Sequence, residues 1–261
     1  MTFRDPLAIQ RASLRDEIRL LGRTAPGSWV YERDGIRAAV VPAAPNQPIA
    51  NMVSYESTSG LVSGLGDLAD AFHGAGVRCW TAWVPEHDGA ARDALRAEGY
   101  ERTARLPAIV MDLAKFAPPD LSGLRYDVGS DIARLGRINE QAHDSGHDLA
   151  AALSTPPDGV NVHVLHAYLD GEPVAAVATL DHPGPDGLDC GLYFGATLPH
   201  VRKQGLGTRI LAAAMVEARE RGCVTASGQA SEMGAPVWLK MGFQTVFMFE
   251  TYERTGGRDV G

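Results

Sequence analysis

Residues 193–208 read Tyr-Phe-Gly-Ala-Thr-Leu-Pro-His-Val-Arg-Lys-Gln-Gly-Leu-Gly-Thr. An apolar strand pattern is followed by a proline turn, a cationic glycine-rich turn and the start of a helical pattern. That order suits an anion. A helix N-terminus presents backbone N–H groups that lack intrahelical partners, at the positive end of the helix dipole. Gly205 and Gly207 remove side chains where a phosphate has to approach the backbone. Arg202 and Lys203 add positive charge, and Thr208 adds a hydroxyl donor. The segment is neither a Walker loop, since Gly-Lys-[Ser/Thr] is missing, nor a dinucleotide GxGxxG turn. Spacing by itself leaves a flexible helix start as the alternative reading.

The elements that must hold this turn follow from the hydrophobic period. Leu206 to Arg221 places Ile210, Leu211, Ala214, Met215 and Ala218 on one helical face and stops at Gly222. A helix over 133–144 precedes a hairpin that turns at Asp170-Gly171. A strand over 188–198 leads into the glycine turn. Beyond the helix lie a strand over 223–228, a helix over 235–241 and a strand over 243–252. The first half gives a helix over 6–21, strands over 28–33, 37–41 and 50–56, and a helix over 61–74. A strand over 77–83, a helix over 88–98 and a strand over 101–112 complete it. The fold class is α/β (α+β), with mixed twisted sheets flanked by helices.

The two halves look like one pattern written twice. Asp34-Gly35 matches Asp170-Gly171, Leu61–Gly66 can be laid on Arg202–Gly207, and Gly99-Tyr100 matches Gly242-Phe243. Pro118-Pro119 removes two backbone donors and marks the join, giving domains 1–117 and 118–261. In the aligned first copy, Leu61-Val62-Ser63 replaces Arg202-Lys203-Gln204, so the cations are lost and the copy reads as degenerate. Asp67, which falls where Thr208 does in the second copy, reads as a helix-capping carboxylate.

Arg202-x-x-Gly205-x-Gly207 after a strand resembles the [Arg/Gln]-x-x-Gly-x-[Gly/Ala] signature of the GNAT superfamily of N-acetyltransferases. Ala235-Pro236-Val237-Trp238-Leu239-Lys240-Met241-Gly242-Phe243 resembles that family's second motif, and the whole chain resembles a tandem-GNAT protein. The resemblance implies acetyl-CoA as co-substrate, held where two central strands splay apart. Its pantetheine arm would add to the backbone of Ala196, Thr197 and Leu198. Its pyrophosphate would lie on Arg202, Lys203, Gln204, Gly205, Leu206, Gly207 and Thr208, with Trp238 and Lys240 as further contacts. An amine would attack the thioester directly, through an oxyanion held by a strand N–H.

Transfer needs one group to take the amine's proton and another to return one to the thiolate. Some family members carry a Glu before the signature and many carry a Tyr in the second motif; here Gly191 and Trp238 stand near those places. The substitutes are Ser231, Tyr193 and Glu140, with His143 beside Glu140; a core aromatic, a helix cap and a solvated helix face are the plain alternatives. His143 and His147 stand four apart, but the helix ends between them, and no metal is expected. Cys79, Cys190 and Cys223 are odd in number and scattered, and read as reduced thiols without a catalytic base.

Composition fits a globular chain: 261 residues, 45% hydrophobic and 21% charged. A net charge of −8 argues against nucleic acid and anionic membranes as partners. It equally disfavours a reading of the tandem halves as an aminoacyl transferase using charged tRNA. No apolar run is long enough to span a membrane, and a cytoplasmic protein is expected. The expected partner is a small-molecule amine or a peptide acceptor, and a homodimer stays open. An acyl-CoA-dependent N-acetyltransferase is the expected function; a non-catalytic acyl-CoA-binding module is its rival.

Overall fold

A computed structural model of the chain describes residues 3–143 and 148–255. The first half contains α1 (Pro6–Leu21), β1 (Trp29–Arg33), β2 (Ile36–Val40), β3 (Met52–Tyr55) and α2 (Thr58–Gly74). It ends with β4 (Cys79–Pro85), α3 (Gly89–Ala97) and β5 (Glu101–Asp112). The second half contains β6 (Arg125–Gly129), α4 (Ile132–His143), α5 (Asp148–Ala152), β7 (Val162–Leu169), β8 (Glu172–Gly184) and β9 (Gly187–Thr197). It continues with α6 (Leu206–Glu220), β10 (Thr225–Gln229), α7 (Ala235–Lys240) and β11 (Gln244–Thr255). The sequence pattern anticipates these elements apart from β6 and α5, which are five residues each. Such pieces are too short to show a period.

Local chemistry accounts for the boundaries. Asp5 caps α1 by accepting from the Ala8 N–H at 2.9 Å, with Pro6 in the first turn. The two matching hairpin turns have the same backbone. Asp34 and Gly35 lie at φ 53° and 78°, and Asp170 and Gly171 at 52° and 88°. Two successive positive φ values are what a tight two-residue hairpin turn demands.

The strands form one continuous sheet in the order β1-β2-β3-β4-β11-β5-β10-β9-β8-β7-β6. The two halves thus interlock. β5, the last strand of the first half, runs antiparallel to β10 from Thr225↔Asp112 to Gln229↔Ala108. β11, the last strand of the second half, inserts between β4 and β5 and pairs with both.

Helices cover both faces. On one face α1, α4 and α5 share a core with strands of both halves, including Leu14, Ile18, Met52, Trp83, Ile138, Ala176 and Phe249. On the other face α2 and α3 cover the first half through Leu61, Phe72 and Leu95. There α6 covers the second half, its Ile210 and Met215 against Cys190, Leu192 and Ala226. A core drawn from both halves leaves neither with a complete apolar interior of its own.

The match of Leu61–Gly66 with Arg202–Gly207 does not hold in the structure. Gly64 and Gly66 do not form a turn before α2; they lie inside it, because the helix starts six residues earlier, after Ser57. Gly64 is needed there for packing, since a Cβ would stand 2.5 Å from Ile36 Cδ1. Gly64 is therefore a helix-packing residue, and the Gly-Leu-Gly of the first half is no counterpart of the Gly205–Gly207 turn.

The exchange of β5 and β11 predicts that residues 118–261 expressed alone do not fold cooperatively. They would expose the edge of β10 and leave β11 without a partner strand. Thermal unfolding by circular dichroism would test this; a sharp two-state transition in the fragment contradicts the interlocked fold.

Candidate acyl-CoA cleft

β9 and β10 are parallel and paired only from Asp189↔Thr225 to Gly191↔Ser227. At this closed end the fully buried Asp189 carboxylate accepts from Thr225 Oγ1 at 2.5 Å and Ser227 Oγ at 2.6 Å, fastening one strand to the other. Past Gly191 the strands part. The cause is a bulge in β9: between Ala178↔Tyr193 and Ala176↔Ala196, two β9 residues oppose one of β8. Phe194 there takes φ 52°, left-handed backbone that a bulky residue holds only when its surroundings enforce it. The enforcing contact is Asn139 of α4, whose buried side-chain amide donates to the Phe194 carbonyl at 2.7 Å.

The V-shaped opening becomes a cleft of about 390 Å³. Gly195, Ala196 and Thr197 of β9 form one wall, Ser231, Met233 and Gly234 the other, with Val237 and Trp238 of α7 alongside. Its foot is the turn from Arg202 to Thr208 and the start of α6. Lys203 and Gly205 both take left-handed backbone, at φ 65° and 77°, which folds the turn back on itself. No side chain caps α6. The first N–H groups of this 15-residue helix therefore point into the cleft, backed by the dipole. Gly207 fits because α6 starts against the strand: a Cβ there would lie 3.0 Å from Thr197 Oγ1.

The first half closes the equivalent place. Ser57 caps α2 by accepting from the Gly60 N–H at 3.2 Å. Beside it Asp88 accepts from Tyr55 Oη at 2.9 Å and from Thr58 Oγ1 at 2.7 Å, bridging the end of β3 to the start of α3. The capped start of α2 is thus no counterpart of the uncapped start of α6.

The sequence-derived residues separate into groups. Ala196, Thr197, Arg202, Lys203, Gly205, Leu206, Gly207, Thr208, Ser231 and Trp238 line the cleft. Leu198 does not, and its N–H is spent on the Val174 carbonyl at 2.9 Å. Ladder alternation then turns the Thr197 backbone towards the gap. Gln204 and Lys240 are exposed outside the cleft lining. Arg202 braces the turn: its guanidinium donates to the Thr197 carbonyl at 3.0 Å and to the Ala142 carbonyl, tying the strand end to α4.

Tyr193 lies in the core, where its hydroxyl donates to the Ser13 carbonyl of α1 at 3.0 Å. Its ring covers Gly191 so closely that a Cβ there would overlap the hydroxyl oxygen. Burial holds its pKa well above the ordinary value. One helical turn beyond Ser13, burial pushes the Glu17 carboxyl up to about 8. Ser231 Oγ accepts from the Gly234 N–H at 3.1 Å, which leaves its own proton to donate. Trp238 packs edge-on against Phe243, ring centres 4.9 Å apart. Glu140 is half-buried on α4 and outside the cleft lining. His143 lines the cleft; desolvation and the Arg202 charge lower its pKa below the ordinary 6.5. The expected spacing partner His147 lies outside the described residues. Among those described, no three His, Cys, Asp or Glu side chains are grouped to hold a metal. No helix among them is long and apolar enough to cross a membrane.

Comparison with known proteins agrees with this geometry. The family model described as acetyltransferase (GNAT) family matches residues 132–243, so the second half carries a GNAT-family domain, whose fold supports acyl transfer. No curated protein matches the chain. A solved GCN5-related N-acetyltransferase from Kribbella flavida is similar over 96% of both chains, with TM-score 0.67 and 17% identity. A tandem GNAT protein from the clavulanic acid biosynthesis pathway is similar over 94% of this chain and 88% of its own, with TM-score 0.61 and 14% identity. A putative acetyltransferase of the GNAT family from Novosphingobium aromaticivorans gives 0.59 and 13%, over 97% of this chain and all of its own. At these identities the likeness concerns the fold.

The cleft predicts opposite outcomes for two glycines. Gly205→Glu has open space for its side chain but places a carboxylate at the anion seat and strains the left-handed turn by about 1 kcal/mol. It should abolish acetyl-CoA binding while the protein stays folded. Gly66→Glu, on the exposed side of α2 with nothing within 4 Å, should leave binding unchanged. Equilibrium dialysis with labelled acetyl-CoA distinguishes the two, and equal losses would contradict the assignment.

Proposed function

We propose that the chain is an N-acetyltransferase that moves an acetyl group from acetyl-CoA directly to a primary amine of a small molecule or peptide. The observation that carries the reading is the uncapped α6 N-terminus at the foot of the parted β9 and β10. An anion seat there meets a gap that admits an extended arm as an added strand. The acetyl-CoA pyrophosphate would lie on the N–H groups of residues 205–208 with Lys203 beside them, and the pantetheine along Thr197. Residues 118–261 hold this site; residues 1–117 are a degenerate copy that supplies its support and no second acyl-CoA site.

In the chemical step the amine nitrogen attacks the thioester carbonyl, the C–N bond forms and the C–S bond breaks. The amine gives up one proton and the CoA thiolate regains one. His143 is placed to take the amine's proton, because it faces the cleft and its lowered pKa keeps it neutral at pH 7. Ser231, on the opposite wall, is placed to pass a proton to the thiolate.

Release of CoA in the presence of a panel of primary amines tests the reading. At least one amine should support turnover. With His143 as base, the acid limb of kcat/KM lies below pH 6.5, the ordinary histidine value that the site lowers. His143→Gln should remove that limb and reduce kcat/KM by about 10²-fold or more. Acetyl-CoA binding without CoA release from any amine would favour the second reading, a non-catalytic acyl-CoA-binding module. That reading is supported by the Tyr193 ring over Gly191 and by Trp238, which stand where many of the family carry their proton-transfer residues.

A further inference from the structure

A second cleft lies in the first half, where α1 crosses the ends of β2 and β3, with a volume of about 440 Å³. It is separate in character from the acyl-CoA cleft, being lined by charge and sharing none of its residues. Arg11 and Arg15, one turn apart on α1, face Arg37 and Ser54, which are paired partners on β2 and β3. Three guanidinium groups thus border one cavity on a chain whose net charge is −8.

The nearby carboxylates are already committed. Asp5 accepts from the Ala8 N–H as the cap of α1. Glu56 is paired with Arg37 at 2.9 Å, and Glu32 holds the same guanidinium at 2.8 Å. Arg15 reaches only the adjacent Asp16, at 3.6 Å, and Arg11 makes no ion pair among the described residues. Both arginines are half-buried along the cavity, so their charges are partly shielded from water. Two guanidinium groups with so little carboxylate pairing, lining one concave space, match the planar, bidentate demand of a carboxylate or phosphate. Against the two carboxylates of the lining, Asp5 and Glu56, the three guanidinium groups leave a positive excess that favours an anion.

The geometry points to an anion-binding site at Arg11 and Arg15 that takes a small molecule bearing a phosphate or more than one carboxylate, distinct from the acetyl-CoA cleft. Phosphate and polycarboxylate present the same oxyanion edge to the arginines, and both serve as probes.

The full chain is titrated with citrate and with inorganic phosphate, following binding by calorimetry. The wild type should saturate with one citrate per chain, and phosphate should compete with it. The Arg11→Gln, Arg15→Gln double variant should bind citrate at least about tenfold more weakly, with an unchanged thermal midpoint. Glu56→Gln, which removes a carboxylate from Arg37, should bind it more tightly. Lys203→Ala, altered only at the acyl-CoA cleft, should bind citrate as the wild type does. The inference is overturned by absence of saturable binding, by equal binding in the double variant, or by loss in Lys203→Ala instead, which would put the anion on the α6 turn. Because Arg11 and Arg15 lie outside the acyl-CoA cleft, failure of the arginine variants leaves the acetyltransferase reading standing, and the reverse also holds.

Discussion

β10 has one side on each half of the chain: it is paired along its length with β5 of the first half, and for three residues with β9 of the second. The cleft depends on this arrangement. A strand that leaves its neighbour must still satisfy its own backbone, and β10 does so through β5. β9, on the other side, is held by β8. Each wall of the opening is thus anchored on the side away from it. The first half, whose helices α1, α2 and α3 all start on side-chain caps, is in this way part of the second half's site. α1 reinforces the connection, since Ser13 holds Tyr193 on β9 and Gln10 pairs with Gln229 on β10.

Within that frame two opposing devices shape the opening. Asp189 fastens the strands at the closed end, and the Phe194 bulge, held by Asn139, bends β9 away at the other. The helix that follows is left uncapped, whereas α1, α2 and α3 of the first half each start on a side-chain cap. A cap replaces an anion at a helix start, so its absence at one helix and presence at another distinguish the two halves more directly than their cations do. Arg202 illustrates the point. Its charge suggests a phosphate ligand, yet its guanidinium is turned to the Thr197 and Ala142 carbonyls and fixes the shape of the turn.

The element order was legible in the sequence because hydrophobic period and turn chemistry are local. Asp-Gly at 34–35 and 170–171 specifies the hairpins, and the stripe from Ile210 to Ala218 specifies α6. The glycine turn before α6 was legible for the same reason, as its glycines and its helix are contiguous. Strand exchange was not, because β5 and β11 carry the same pattern whichever half they join. The first-half glycines misled because Gly-Leu-Gly looks alike in a turn and in a helix face packed on Ile36. Asn139 left a faint trace, a polar residue within the apolar stripe Ile132, Leu135, Ile138, Ala142, but its partner lies 55 positions away. The occupation of the Gly191 face by Tyr193 likewise depends on α1, which is 180 positions distant.

The central claim is that the chain holds a single acyl-CoA seat, at the uncapped helix between β9 and β10. Calorimetric titration of the full chain with acetyl-CoA, CoA and NAD addresses it most directly. The account predicts one site per chain for both CoA compounds and none for NAD. Two sites would mean that the capped first half still binds, and no binding of either CoA compound would contradict the assignment of the cleft.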